Sequence, residues 1–238
     1  LFPWVEGCHR GGTELDTAEC AALGALLGSV HATLRRMLPP VQQPLYAPAA
    51  DARASMAVAT GLLDGMRARG VREPFDELAE HRLIERLHML RRHAHQRPAD
   101  DDRASTGYVH GDFHPLNLLY AGADPVAIID WDRLAALPDT EEAVRAALLF
   151  FTRQRTGTLD LARVRAFVHA YRAVTDPSRA DLRAAVQRLW WERLNDFWML
   201  NRHYVERDHR SDALFPASAA LIVWWTSRYE EVMAAFVD

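Results

Sequence analysis

Between Val109 and Leu118 the chain reads His110-Gly111-Asp112-Phe113-His114-Pro115-Leu116-Asn117, four polar side chains and a Gly-Asp turn wedged between apolar pieces. A loop held by a strand on each side is where a fold displays catalytic groups. About ten residues further on, Ile128-Ile129-Asp130-Trp131-Asp132 ends an apolar run in a carboxylate. A carboxylate at a strand end beside a second polar loop suits Mg²⁺. That ion takes hard oxygen donors and needs only one or two from protein, with phosphates and water completing its shell. Two other chemistries fit part of the pattern. His110, Asp112 and His114 alternate as the ligands of a zinc site do, but that reading leaves Gly111, Asn117 and Asp130 without a purpose. Asp112 as a plain turn-capping residue leaves the second loop unexplained.

These loops need strands to hold them, and the flanking sequence supplies the pattern. Tyr108-Val109, Leu118-Leu119-Tyr120 and Val126-Ala127-Ile128-Ile129 are short apolar runs separated by polar or Gly/Asp/Pro turns, which predicts three strands. The opening Leu1 to Gly7 reads as the end of a strand running into a turn that Gly11 and Gly12 extend, and beyond it the chain around the insert reads mainly as helix. Asp16 followed by Glu19 is a capping-box start, and Leu23, Leu26, Leu27, Val30 and Leu34 recur at helical spacing, predicting a helix over 17–37. Pro39, Pro40, Pro44 and Pro48 mark a loop. A second helix is expected from Arg53 to Arg69, and a third from Pro74 to just before Pro98. From Glu141 onward the pattern gives about four helical stretches, parted near Gly157, Pro177 and Pro216. The expected class is α+β, mainly α, with a small β insert carrying the polar loops.

Composition bounds the partners. A net charge of −4 over 238 residues gives no general basic field for nucleic acid. The arginine-rich stretch from Arg86 to Arg97, with His88, His93 and His95, lacks the interleaved aromatics that stack on bases. It reads as the exposed face of a helix whose apolar side carries Leu87 and Leu90. The longest apolar run, Ala219 to Trp225, is far short of the ~18–20 residues of a membrane span. Cys8 and Cys20 form no CxxC pair, so no disulfide framework is expected, and a cytoplasmic protein is the default. The other unusual stretch is Trp190-Trp191-Glu192-Arg193-Leu194-Asn195-Asp196-Phe197-Trp198. On a continuous helix Glu192, Asp196 and His203 share one stripe, beside Trp191, Asn195 and Trp198. Carboxylates beside aromatic faces suit a cationic ligand, whereas three tryptophans filling a core, with Glu192 paired to Arg188, is the simpler reading.

The two central motifs, HGDxHxxN followed by IIDWD, resemble the catalytic and metal loops of the aminoglycoside phosphotransferase and choline kinase family, relatives of the protein kinases. The resemblance runs over nearly the whole chain. Phe2-Pro3-Trp4-Val5-Glu6-Gly7 is similar to the hinge joining that family's two lobes, and the helix ending in Ser29-Val30-His31 resembles the one after the hinge. It implies a protein-kinase-like C-terminal lobe and transfer of the γ-phosphate of ATP, or another nucleoside triphosphate, to a hydroxyl of a small acceptor. Asp112 takes the position of the catalytic base, and Asn117 and Asp130 those of the Mg²⁺ ligands. His110 and His114 are expected to be structural. The hinge residues Phe2, Trp4 and Val5 would meet the nucleotide. Glu192, Asp196 and Trp191 are the acceptor-site candidates, since the family builds acceptor pockets from C-terminal helices. An aminoglycoside or related antibiotic is one candidate acceptor; choline, homoserine and sugars are others. After the metal loop, where the family commonly has an acidic residue followed by Leu-Ala, this chain has Pro138-Asp139-Thr140-Glu141-Glu142-Ala143.

Protein kinases cover the phosphates with a Gly-rich loop and a strand lysine. The chain has no GxGxxG, and all 28 of its basic residues are arginine. The expected layout is therefore a hinge remnant at 1–8 and a catalytic and substrate-binding lobe at 9–238, the nucleotide-covering lobe lying upstream of Leu1. A non-catalytic binding module of the same fold is the alternative.

Overall fold

The computed structural model describes residues 4–42, 47–69, 72–100 and 105–238. Helix α1 (Thr17–Met37) starts where expected. The Asp16 carboxylate accepts from the Glu19 amide at 2.8 Å, and the Glu19 carboxylate accepts from the Asp16 amide at 2.8 Å. Such a cap is worth about 1 kcal/mol. Helices α2 (Ala52–Arg67) and α3 (Pro74–His93) follow. Then come β1 (Thr106–Val109), β2 (Leu118–Ala121), β3 (Asp124–Ile128) and β4 (Ala135–Pro138). Helix α4 (Asp139–Phe151) runs straight out of β4, and a two-residue pair, β5 (Thr152–Arg153) and β6 (Thr158–Leu159), leads to α5 (Leu161–Thr175). The rest is α6 (Arg179–Asn195), the single turn α7 (Trp198–Asn201), α8 (Phe215–Ser227) and α9 (Tyr229–Val237). Among the described residues no helix is long and apolar enough to cross a membrane.

Two antiparallel ladders organise the β insert. β2 pairs with β3 as a hairpin, Leu118 opposite Ile128, and β1 pairs with β4, Val109 opposite Ala135. The connections β1→β2 and β3→β4 each leave one ladder and enter the other, so they run side by side. Those connections are the two polar loops. The N-terminal segment joins the insert at Cys8, whose amide and carbonyl both bond Tyr120 at 2.9 Å.

The helices bury the other side. Trp190, Trp191, Trp225, Tyr171 and Phe113, Phe150, Phe151, Phe167 and Phe236 are all fully buried. α1 and α5 approach closely because Gly24 faces the α5 backbone; a Cβ there would lie 2.0 Å from the Phe167 carbonyl oxygen.

Two expectations need correction. α6 does not continue past Asn195, so Glu192 and Asp196 share no helical stripe with His203. Arg86 is not on an exposed face. Its guanidinium donates to the carbonyls of Arg193 at 2.6 Å and Leu194 at 3.2 Å, filling acceptors that the end of α6 leaves open, and burial pushes its pKa down to about 10.

Candidate active site

The first loop is shaped by a buried carboxylate from α4. Glu142 accepts from the His110 amide at 3.0 Å and from the Gly111 amide, while His31 of α1 donates to it from Nε2 at 2.8 Å. His31 is held in turn by the Tyr171 hydroxyl, 3.1 Å from Nδ1. Gly111 adopts φ +82°, and a Cβ on it would lie 2.2 Å from the Arg133 carbonyl oxygen. Only glycine permits both the left-handed backbone and this approach of the second loop.

His110 locks the two loops together. Its Nδ1 accepts from the Asp112 amide at 3.2 Å, which places the proton on Nε2, and Nε2 donates to the Ile129 carbonyl at 3.0 Å. The Ile129 amide donates to the Asn117 carbonyl at 3.0 Å. Ile129 is thus gripped on both faces by the first loop, and the residue it presents next is Asp130. Asp130 is in the left-handed region, φ 63° and ψ 64°. Asp tolerates this better than most residues, at a cost of about 1–3 kcal/mol. Such strain concentrates at functional sites.

The side chains this frame presents are Asp112, His114, Asn117 and Asp130. The Asn117 amide nitrogen donates to the Asp112 carbonyl at 2.9 Å, which leaves the amide oxygen to face a cation. The Asp112 carboxylate, partly exposed, has Arg133 Nε at 3.8 Å and His114 Nε2 at 3.7 Å. His114 Nδ1 accepts from the Leu116 amide at 3.2 Å, and burial lowers its pKa against the pull of Asp112 and Asp130. A neutral His114 therefore directs its Nε2 proton toward Asp112. Both imidazoles are engaged by backbone groups, which opposes the reading of His110, Asp112 and His114 as zinc ligands. An amide oxygen and a carboxylate from adjacent loops are the hard donors that Mg²⁺ takes, so the residues present fit that ion.

Beside Gly111 lies a cleft of about 350 Å³, lined by Pro138 of β4, Glu141 and Arg145 of α4 and Glu192 of α6; a neighbouring cavity of about 860 Å³ shares these four residues and adds Arg188 of α6. Glu141 is raised to about 7, mainly by burial and further by Glu192, with Arg188 opposing. Glu192 pairs with Arg188 at 2.8 Å. Of the three acceptor-site candidates, only Glu192 reaches this cleft. Trp191 is fully buried, its indole N–H bonded to the Ala50 carbonyl at 2.9 Å, so it belongs to the core. Asp196 lines a different pocket, with Arg86, Arg193 and Trp198, and caps the Trp198 amide at 2.9 Å. Of the hinge candidates, Trp4 is 89% exposed and Val5 half-buried, and Phe2 lies outside the described residues. The sequence reading missed the anchoring role of Glu142. Its signal was local, an acidic pair where the family has another pattern, but its partners lie 31 or more residues away.

A family model described as "Phosphotransferase enzyme family" matches residues 1–184. Among solved structures, choline kinase from Cryptosporidium parvum Iowa II superposes with a TM-score of 0.55 at 11% identity, covering 98% of this chain and 72% of that one. Aminoglycoside phosphotransferase from Alicyclobacillus acidocaldarius gives 0.52 at 17% identity, covering 98% and 68%. Spectinomycin phosphotransferase, solved with ADP and spectinomycin, gives 0.55 at 14% identity, covering 92% and 65%. The chain thus spans about two-thirds of the length of these structures and shares their kinase-like fold. A comparison with curated proteins found no match.

Proposed function

The chain belongs to the phosphotransferase enzyme family, and from that membership we propose that it transfers the γ-phosphoryl group of ATP or another nucleoside triphosphate to a hydroxyl of a small molecule. The observation that carries the reading is the side-by-side placement of the Asp112 and Asp130 loops, clamped through Ile129 and Gly111. Asp112 accepts the proton of the acceptor hydroxyl as that oxygen bonds to the γ-phosphorus; the bond to the bridging oxygen breaks and the nucleoside diphosphate leaves. Arg133 and His114 flank Asp112 and keep its carboxylate aimed. Asn117 and Asp130 hold Mg²⁺, which when bound neutralises charge on the phosphates.

The acceptor lies in the cleft beside Gly111, where the carboxyls of Glu141 and Glu192 suit a hydroxylated amine; aminoglycosides and amino alcohols such as choline are the candidates. The nucleotide base lies against Trp4 and Val5. The chain acts as the C-terminal, base- and metal-bearing lobe, and a second lobe covers the phosphates. The share of the solved structures' length that the chain spans supports this part of the reading.

The test is Asp112→Asn in the full-length natural protein. Turnover falls ~10²–10⁴-fold, the scale of a positioned acid–base group, while nucleotide affinity stays within a factor of a few. Unchanged turnover removes Asp112 from its role and favours a non-catalytic binding module.

A further inference from the structure

Beyond residue 184, outside the segment matched by the family model, the chain between α7 and α8 folds into a π-helical turn (Arg202–Glu206), a left-handed residue at Arg207 and a 3₁₀ turn (Asp212–Leu214). This path brings three ligating atoms to one point. His203 Nδ1 and Asp212 Oδ2 are 2.9 Å apart, His209 Nδ1 and Asp212 Oδ2 3.0 Å, and the two Nδ1 atoms 3.1 Å. Among the described residues this is the group of His, Cys, Asp and Glu side chains whose geometry could hold a metal ion.

Protons alone do not satisfy the triangle. With a proton on both Nδ1 atoms, two N–H groups face each other across 3.1 Å. With a proton on one, the other nitrogen presents a lone pair to a carboxylate oxygen about 3 Å away. A cation satisfies all three edges at once. In a tetrahedral site with bonds of ~2.0–2.1 Å, neighbouring donors stand about 3.3 Å apart, so the triangle needs to open by only a few tenths of an ångström.

The surroundings are those of a built site. His203 is buried and stacks on Phe75 of α3, ring centroids 4.3 Å apart and planes 18° from parallel. Asp212 Oδ1 and the neighbouring Ser211 Oγ are buried and have no hydrogen-bond partner among the described residues. The loop is braced by Asp208, which pairs with Arg202 and Arg210 at 2.7 Å each.

We propose that His203, His209 and Asp212 form a binding site for a divalent transition-metal ion of the zinc class. Two imidazoles and one carboxylate select such an ion over Mg²⁺ or Ca²⁺, which prefer all-oxygen shells. The fourth position opens on the side of His209, whose side chain is 63% exposed. The ion ties the α7–α8 connection to itself and, through His203 and Phe75, to α3. Its place is structural, and it is separate from the Mg²⁺ ligands of the phosphoryl-transfer loops.

The experiment uses untagged protein, since a polyhistidine tag binds the same ions. Metal is removed with a chelator, and Zn²⁺ is titrated against a chromophoric competitor; Co²⁺ is added separately and its visible spectrum recorded. One equivalent of Zn²⁺ binds and raises Tm, and Co²⁺ shows the intense bands of a tetrahedral site. His209→Ala and Asp212→Asn each weaken Zn²⁺ at least ~100-fold, more than loss of an outer-shell partner. Their metal-free circular dichroism matches that of the metal-free wild type. Absence of a stoichiometric site, or wild-type affinity in both variants, overturns the proposal. So does zinc that is lost on His114→Ala instead, which would locate it at the Asp112 loop.

Discussion

Gly111→Ala is the substitution that most sharply separates a working pair of loops from a folded but idle one. The wild-type residue sits at φ +82°, where an L side chain costs roughly 1–2 kcal/mol. The added Cβ would lie 2.2 Å from the Arg133 carbonyl oxygen and 2.9 Å from its carbonyl carbon. Both are backbone atoms, so no side chain can swing aside; the Asp130–Arg133 turn has to retreat by about 1 Å. A misplacement of that size in a catalytic constellation costs ~10²-fold in rate. The strain, about 1–3 kcal/mol in all, lowers Tm by roughly 2–12 °C for a chain of this size and leaves the fold intact. The assay is kcat of full-length wild type and variant with Mg²⁺, nucleotide and a responsive acceptor, with thermal unfolding followed in parallel. The account requires kcat to fall ~10²-fold well below the variant's Tm. A kcat within twofold of wild type would falsify the claim that contact between the loops sets the geometry.

Two further outcomes follow from the same frame. Asp130→Ala abolishes Mg²⁺-dependent nucleotide binding, measured by calorimetry with and without the ion, and leaves metal-free nucleotide affinity unchanged; binding that stays Mg²⁺-dependent would move the metal site elsewhere. Glu141→Gln probes the cleft through pH. The native pKa near 7 is above the ordinary glutamate value of 4.5, so the native state binds the extra proton. Stability is therefore lost as pH rises from about 4.5 through 7, and none is lost below that window. The variant should match wild type in urea at pH 4 and exceed it at pH 8 by the order of 1–2 kcal/mol, discounted for partial exposure; equal stability at both pH values would contradict the burial of Glu141.

How much of this was legible in the sequence depended on whether a signal was local. The Asp16–Glu19 cap and the leucine spacing behind it fixed the bounds of α1, because both ends of the interaction lie within four residues. The loop at 110–117 was visible as a polar break between apolar runs, and the second loop as a carboxylate, Asp130, ending the apolar run at Ile128-Ile129. β4 was not, because Ala135-Ala136-Leu137-Pro138 carries little strand preference and is a strand only through its pairing with β1. The end of α6 was hidden for a similar reason. No glycine or proline marks it; the break is made by Arg86, 107 residues away, taking the Arg193 carbonyl, and by Asn195 and Asp196 bonding the backbone. That break took Asp196 off the helical face that carries Glu192. Within the site, Asp112, Asn117 and Asp130 could be picked out by type and spacing. Glu142 and His31, which hold the first loop in shape, could not, since their contacts exist only after α1 and α4 pack.

The central claim is that the two loops together move a phosphoryl group with Asp112 as the base, and ³¹P NMR tests it most directly. Full-length protein is incubated with Mg²⁺ and ATP over a panel of hydroxylated amines and sugars, alongside Asp112→Asn. The account predicts a phosphate-ester resonance on one acceptor class that grows in step with ADP for the wild type, and is slower by ~10²–10⁴-fold in the variant. Ester formation at equal rates in the two proteins, or release of inorganic phosphate alone, would contradict it.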